Sequence, residues 1–377
     1  MLLETIEVLS DHGITCHVLL PEAGDLCNEL TKLGVSFRII PYGLWMSRGQ
    51  QSRWMPMKSL VRHLATLPAV LWAIKRWNCD VVYTNTITVC TGAIASMILG
   101  RRHVWHLHEF GYEDHGLVFF FGEYVSYKII NSLSSACIVV SNALKLKYQR
   151  HILPSKLAVI YPSMHHTQLN EAALTCPRVS VPARRERFRA VVVGALTEGK
   201  RQEDAVRAVG SLVRDGASVE LLIVGGGDQN YRRRVEKIVS ANRLEQQVIF
   251  IGQVTDAFPF IRSSDVAIVC SESEAFGRVT IEAMLAGKPV IGARSGATPE
   301  LVQAGVNGLL YEPGNSKELA DKIQFLYENP TVALRLGEAA MKWASVTFTR
   351  ERYGNQLLSL LTAVIESRSH RRLARVS

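Results

Sequence analysis

The sequence has few of the features that mark secreted, zinc-binding or membrane-spanning proteins. Its seven cysteines are odd in number and widely spaced, and no C-x-x-C pair occurs, which argues against a disulfide framework and a structural zinc site. No apolar run is long enough to cross a bilayer. The first residues carry acidic side chains and helical periodicity, which is not typical of a signal peptide. These absences predict a cytoplasmic protein that at most contacts the surface of a membrane.

The net charge is the bulk property that points to a partner. A formal net charge of +9 and a pI near 9.2 favour an anionic ligand, such as a nucleic acid, an acidic lipid or a phosphorylated small molecule. No nucleic-acid-binding motif accompanies the charge, so a nucleic-acid partner is not expected. A length of 377 residues with 47% apolar content predicts a globular protein of two or three domains.

Short apolar runs alternate with helical segments along the chain. In the carboxy-terminal half these runs predict strands at Phe188–Val193, Val219–Val224, Val248–Ile251, Val266–Cys270 and Val290–Ala293. Parallel strands that are buried on both faces have this continuous apolar composition, so the pattern favours a doubly wound α/β fold. The segment 166–186 lacks periodicity and predicts an interdomain linker. We therefore predict Rossmann-like domains over 1–165 and 187–348, and a final helix with a basic tail over 349–377.

The amino-terminal domain has two unusual features. It begins on a helix that stops at Gly13, so the first strand of an α/β unit is missing. An exposed loop is predicted from Tyr42 to Met57, in which Trp45 and Trp54 either contact an acceptor or a lipid surface or have no ligand. The apolar stripe from Leu60 to Ile74 has helical spacing, which fits a membrane-surface helix or a core face.

The stretch SESEAFGRVTIEAMLAGKPVIGARSGATPE, from Ser271 to Glu300, carries the clearest chemical pattern. It follows one predicted strand and runs into the next, with a helix over 279–286 between them. The turn after a parallel strand faces the ligand crevice, and the first N–H groups of the following helix attract phosphate. Glu274 and Glu282 bracket this turn, a layout that suits hydroxyl groups on either side of a diphosphate. Alone, such a pair is more often a solvated helix face.

The whole stretch resembles the signature of the retaining glycosyltransferases of the GT-B superfamily, family 4 or group 1 type. That signature is a Glu, seven residues and a second Glu, followed by a glycine, a proline and a strand. The resemblance implies two Rossmann-like domains that face a cleft. It also implies sugar transfer from a nucleotide-diphosphate donor to a glycan or lipid-linked acceptor in polysaccharide biosynthesis. No essential metal is expected, because protein cations are available for the diphosphate and no D-x-D motif lies at a strand end.

The resemblance assigns roles to individual residues. It implies that Glu274, His108 and Lys200 are catalytic, with Lys200 on the diphosphate and His108 near the donor sugar. Glu282 is implied to bind the ribose. The other implied donor-binding residues are Gly194, Arg201, Gly252, Val254, Phe276, Gly277, Arg278 and Val279.

Two departures from the family pattern leave other functions open. The family has an arginine where this chain has Ala195 and a glycine where it has Arg201, which indicates altered handling of the donor. With the missing strand, this favours as one alternative a degenerate member that binds a nucleotide or a partner without turnover. A nucleotide-sugar epimerase is the second alternative. A glycoside hydrolase is not favoured, because its paired carboxylates require no phosphate turn between them.

Overall fold

The computed structural model describes residues 1–49, 54–164 and 187–373. The chain divides into two compact units. Unit 1 consists of Met1–Ser163 with Arg350–Ser377, and unit 2 consists of Met164–Thr349. The predicted linker 166–186 and residues 50–53 of the predicted exposed loop lie outside the described residues, as do the side chains of the basic tail. No helix among the described residues is both long enough and apolar enough to span a membrane.

Unit 1 alternates helices with short strands. Its strands are β1 (His17–Leu20), β2 (Ser36–Ile39), β3 (Met46–Arg48), β4 (Val81–Thr84), β5 (Arg102–Leu107), β6 (Leu117–Phe119), β7 (Ala136–Val139) and β8 (Leu157–Val159). Its helices are α1 (Leu2–Asp11), α2 (Asp25–Lys32), α3 (Met55–Trp77), α4 (Thr91–Ile98), α5 (Tyr112–His115), α6 (Glu123–Leu133), α7 (Asn142–Tyr148) and the last helix of the chain, α15 (Arg350–Leu373).

The strands of unit 1 form separate sheets. β4, β5, β7 and β8 make a parallel sheet in the order β4-β5-β7-β8, while β1 pairs in parallel with β2 alone among the described strands. Among the described strands, these two parallel sheets are not joined. The last helix, α15, packs on this unit through Tyr353 and Leu357, which share a buried cluster with Val8 and Ile138.

The predicted exposed loop from Tyr42 to Met57 is wrong in its first half. Trp45 is only 1% exposed, and its indole N–H donates to the carbonyl of Ile87 at 2.6 Å. β3, directly after Trp45, pairs antiparallel with β6. The buried indole ring holds this segment against the core of unit 1, because a large aromatic side chain contributes more to stability when it is buried than when it is exposed. Trp54, in contrast, is 71% exposed.

Unit 2 is a doubly wound α/β unit. Its strands are β9 (Phe188–Val193), β10 (Val219–Val224), β11 (Val248–Gly252), β12 (Val266–Val269), β13 (Val290–Ala293) and β14 (Gly308–Tyr311). Its helices are α8 (Gln202–Arg214), α9 (Gln229–Ala241), α10 (Phe258–Arg262), α11 (Arg278–Leu285), α12 (Thr298–Leu301), α13 (Ser316–Glu328) and α14 (Pro330–Thr347). The predicted strands of this half are therefore confirmed, with ends that differ by at most one residue.

The strand order of unit 2 determines where a ligand crevice opens. The sheet is parallel and has the order β11-β10-β9-β12-β13-β14. The chain moves outward from β9 to β11, and then returns to the other side of β9 and moves outward again from β12. The order reverses between β9 and β12, and in such sheets ligands bind at the carboxyl ends of the strands beside this point.

Candidate functional site

Lys200 and Glu274 meet at the topological switch point of unit 2. Lys200 ends a short 3-10 turn, Glu198–Lys200, on the loop after β9, and Glu274 lies on the loop after β12. The Lys200 ammonium lies 2.7 Å from Oε2 of Glu274. The backbone N–H of Glu272 also donates to the carbonyl of Gly199 at 2.9 Å. The two loops that border the crevice are therefore connected by an ion pair and a backbone hydrogen bond.

The backbone of Glu274 is held by the turn after β13. The N–H of Ala297 donates to the Glu274 carbonyl at 2.7 Å. Gly296 has a left-handed φ of 55°, and a Cβ placed there would lie 2.4 Å from the Glu274 carbonyl oxygen. Only glycine permits this close approach without a shift of the backbone. The position of the Glu274 carboxylate therefore depends on a residue in a different loop.

Helix α11 presents its amino terminus beside Glu274. Gly277 precedes the helix with a φ of 92°, and no side chain caps the first turn. Phe276 is buried, with its ring centroid 5.8 Å from that of Phe348, while Arg278 is exposed and Val279 half-buried. An uncapped helix start carries partial positive charge and N–H donors, so it suits a phosphate group.

Glu282 lies on α11 in a partly desolvated environment. Burial raises the pKa of its carboxyl group above the ordinary value, the nearby charge of Arg278 lowers this pKa, and Asp256 raises it. Asp256 follows Gly252 and Val254 beyond β11. Because its charge raises the pKa of Glu282, this segment lies near Glu282. One oxygen of Asp256, Oδ2, is buried without a hydrogen-bond partner among the described residues. Sequence reasoning missed Asp256, since its only local signal is its position before α10.

Replacement of Glu282 by glutamine should stabilise the fold at neutral pH. A folded-state pKa above the ordinary 4.5 means that the folded protein favours the neutral carboxyl group. This preference stabilises the fold fully below pH 4.5, and the stabilisation is lost as the pH rises through the raised pKa. At neutral pH, the ionised carboxylate of Glu282 therefore lowers the free energy of unfolding.

The measurement is the thermal midpoint of E282Q and wild type by calorimetry as a function of pH. We expect a higher midpoint for the variant at neutral pH and no gain in acid. The control is E272Q, which removes an exposed carboxylate from the neighbouring loop. A variant midpoint at or below that of the wild type at neutral pH would contradict the burial of an ionised Glu282.

Arg201 forms an ion pair with a residue of its own unit. Its Nε lies 3.1 Å from Oδ2 of the fully buried Asp204, and this hydrogen bond raises the pKa of the guanidinium. Arg201 has a left-handed φ of 48°, a conformation that favours glycine and explains why glycine is usual there. The backbone of Gly194, at the end of β9, lies against Gly225, where a Cβ would be 2.1 Å from the Gly194 carbonyl oxygen. Ala195 itself is exposed.

In unit 1, His108 lies at the carboxyl end of the four-stranded sheet. It follows β5, and its Nε2 lies 2.8 Å from Oδ1 of Asn85, which follows the neighbouring strand β4. Burial lowers the pKa of His108 to about 4, so its ring is neutral at physiological pH. Its other nitrogen, Nδ1, is buried without a partner among the described residues. The backbone N–H of His108 donates to Glu109 at 3.2 Å.

The structure thus brings Lys200, Glu274 and the start of α11 together on unit 2, and it places His108 on unit 1. Two Rossmann-like units with parallel sheets, one with charged loops at its switch point, define the GT-B class of glycosyltransferase folds. Two family models match the chain in consecutive parts. "Glycosyltransferase Family 4" matches residues 1–167 and "Glycosyl transferases group 1" matches residues 178–343. The chain belongs to the group 1 and family 4 glycosyltransferases.

Individual relatives agree with this assignment. The chain is 32% identical over 157 residues to N-acetyl-alpha-D-glucosaminyl L-malate synthase of Bacillus anthracis, covering 42% of this chain and 40% of the relative. It is 27% identical over 171 residues to the lipopolysaccharide core biosynthesis glycosyltransferase LpsE of Rhizobium meliloti, covering 45% and 48%. The chain therefore spans less than half of the length of each of these relatives.

A solved structure matches over almost the whole chain. HepE of Anabaena in complex with UDP-glucose superposes with a TM-score of 0.75 at 24% identity, covering 96% of this chain and 94% of HepE. At this level of identity the match establishes the fold. The prediction of an α/β protein of the GT-B type is therefore confirmed.

Proposed function

We propose that this protein is a retaining glycosyltransferase that moves a sugar from a nucleotide diphosphate to a glycan or lipid-linked acceptor in polysaccharide biosynthesis. The observation that carries the proposal is the Lys200–Glu274 pair beside the uncapped start of α11, at the switch point of unit 2. The names of the relatives support it, since one builds a lipopolysaccharide core and the matched structure holds UDP-glucose.

In this proposal the donor's diphosphate binds between Lys200 and the first N–H groups of α11. The ammonium and the helix terminus stabilise the charge that develops on the departing phosphate. Because these groups supply positive charge, we propose that no metal is essential. Glu282 binds the ribose hydroxyls, and the segment with Gly252 and Val254 lies against the base.

The transferred sugar is held by Glu274 and by the backbone from Phe276 to Arg278. His108 of unit 1, with a neutral ring, can donate or accept a hydrogen bond with a sugar hydroxyl group. No carboxylate is assigned as a covalent nucleophile, so the leaving phosphate assists the incoming hydroxyl on the same face of the sugar ring. The anomeric configuration is then retained.

The test uses the full chain with UDP-glucose and other nucleotide sugars, first by thermal shift and then with candidate acceptors. A donor at a hundred times its dissociation constant should stabilise the fold by about 2.7 kcal/mol. The anomeric coupling constant of the product, measured by NMR, reports retention or inversion. Formation of an epimerised nucleotide sugar without transfer would favour the epimerase, and binding without donor consumption would favour the degenerate member.

We also propose that unit 1 contacts an anionic membrane surface through the first half of α3. Trp54, Met57, Val61 and Leu64 lie along one face of this segment at helical spacing, and each is more than half exposed. No Asp or Glu occurs from Leu30 to Cys79, so the charged side chains of this stretch are all positive apart from its histidine. Exposed apolar side chains beside cations are typical of segments that lie in a membrane interface.

Substitution of Val61 and Leu64 by serine should weaken binding to vesicles that contain phosphatidylserine by about tenfold or more, since each side chain loses apolar area that would enter the interface. Co-sedimentation with vesicles measures the effect. The matched control replaces Leu334 and Val346 of unit 2, which are each 66% exposed, by serine. Equal binding of the α3 variant and the control variant would reject the α3 surface.

A further inference from the structure

Unit 1 has a large groove beside the outer strand β8 of its four-stranded sheet. The groove has a volume of about 1380 Å³ and is lined by the starts of β5 and β7, by the whole of the short edge strand β8 and by one face of α15. His108 follows the carboxyl end of β5, whereas the groove lies at the starts of β5 and β7 and along β8. His108, Asn85 and Glu109 do not line the groove, so it is distinct from the site around His108.

The charged side chains that line the groove are positive. Arg101, Arg102 and Lys156 line it, and among the described residues no Asp or Glu does. Arg101 donates to the Asn78 side chain at 2.9 Å, and Lys156 donates to the carbonyl of Asn131, so both cations are bonded to neutral oxygens. Across the described residues, neither these two cations nor Arg102 has a carboxylate within ion-pair distance.

Arg102 supplies the most direct indication of a ligand. Its Nε is buried, and among the described residues it has no hydrogen-bond partner. A buried guanidinium N–H without an acceptor is unfavourable, and a turn of the Arg102 side chain toward an anion in the groove would supply one.

The rest of the lining contains both polar and apolar side chains. Hydroxyl and amide groups come from the end of α6, from the segments before β7 and β8 and from α15, namely Ser132, Ser135, Ser155, Asn355, Gln356 and Ser359. Apolar contacts come from Leu157, Ile160 and Leu360. No aromatic side chain that could stack on a nucleobase lines the groove. The volume exceeds the range of about 300–1,000 Å³ that is usual for small-molecule sites, so the ligand has several units.

We infer that this groove binds an anionic oligosaccharide, whose acidic groups pair with Arg101, Arg102 and Lys156 and whose hydroxyl groups bond to the serine and amide side chains. The acidic groups are sugar carboxylates or sugar phosphates. Such a site would hold a charged glycan on unit 1 outside the site around His108. The inference does not depend on a transfer reaction.

The test measures binding of trigalacturonate, glucose 6-phosphate and neutral maltotriose to the full chain by calorimetry at low salt. We expect an anionic ligand to bind with one site per chain and to bind about tenfold or more tightly than maltotriose, because charge-assisted hydrogen bonds are the stronger ones. Saturating UDP should not displace it. Binding by trigalacturonate would identify carboxylates as the recognised groups. Binding by glucose 6-phosphate alone would show that one phosphorylated sugar is sufficient and would overturn the oligosaccharide.

Variants locate the binding. R102Q should weaken binding by about tenfold or more, and the surface double variant R101Q/K156Q provides the same test if R102Q does not fold. K75Q, which removes a cation of unit 1 outside the groove, should bind as the wild type does. The inference is overturned if neither anion binds, if R101Q/K156Q binds with unchanged affinity, or if UDP competes with the anion.

Discussion

Replacing Glu274 with glutamine is expected to lower the rate of sugar transfer by about 100- to 1000-fold while the protein remains folded. The substitution keeps the size of the side chain but removes the charge that lies 2.7 Å from Lys200. Without this partner the ammonium is no longer oriented by the loop after β12, and the transferred sugar loses the acceptor assigned to it. Initial rates with saturating donor measure the effect, and circular dichroism confirms the fold.

The matched control is E272Q, on the same loop, whose carboxylate is 60% exposed. We expect nearly normal transfer by this variant, since an exposed ion pair contributes little. The double variant K200Q/E274Q tests whether the two residues act as a unit, in which case its loss is smaller than the product of the separate losses. Transfer by E274Q at the rate of E272Q would reject the catalytic assignment of Glu274.

Substitution of Gly296 by alanine should reduce transfer nearly as strongly, although residue 296 has no assigned contact with the donor. The added Cβ would lie 2.4 Å from the carbonyl oxygen and 2.6 Å from the nitrogen of Glu274, and the φ of 55° is itself unfavourable for alanine. The loop must shift, which moves the Glu274 carboxylate away from Lys200. We expect a loss of about 100-fold in rate, because displacements of about 1 Å have this effect on oriented groups.

Kinetics and denaturant unfolding of the same preparation separate the two effects of G296A. Strain at one backbone position costs about 1–3 kcal/mol, which lowers the unfolding midpoint without preventing folding. G199A, next to Lys200, is the control because a Cβ there meets no atom within 4 Å. If G296A were folded and as active as G199A, the position of Glu274 would not depend on this contact.

The strands of unit 2 could be predicted from the sequence because each has a signal within its own residues. A parallel strand covered on both faces is a continuous apolar run, and β9, β10 and β13 begin and end where their runs do. The switch point also follows once the strands are known. In a doubly wound sheet, consecutive strands are added outward on one side of the first strand and then on its other side.

The antiparallel pairing of β3 with β6 could not be predicted in the same way. Met46–Arg48 and Leu117–Phe119 are short, and they are far apart in the chain. Neither carries a local signal strong enough to distinguish it from a loop. Trp45 is buried because this distant pairing and Trp105 cover it, so its aromatic character alone was compatible with either an exposed or a buried position.

At the candidate site, the residue types were accessible from the sequence but their partners were not. The family resemblance identified Lys200 and Glu274, whereas their ion pair depends on β9 and β12 being neighbours. Arg201 looked available for a phosphate, yet the structure pairs it with buried Asp204. The assigned roles of the site residues remain predictions, and the variants above test them.

The packing of α15 on unit 1 affects how this protein can fold during synthesis. Tyr353 and Leu357 complete a cluster with Val8, and Arg350 lies 3.1 Å from Glu7, yet the ribosome adds these residues only after all of unit 2. The half of the protein that is translated first is consequently the last to gain its full core. A nascent chain should keep apolar surface around α1 uncovered until then, which makes it a substrate for chaperones and for proteases during that interval.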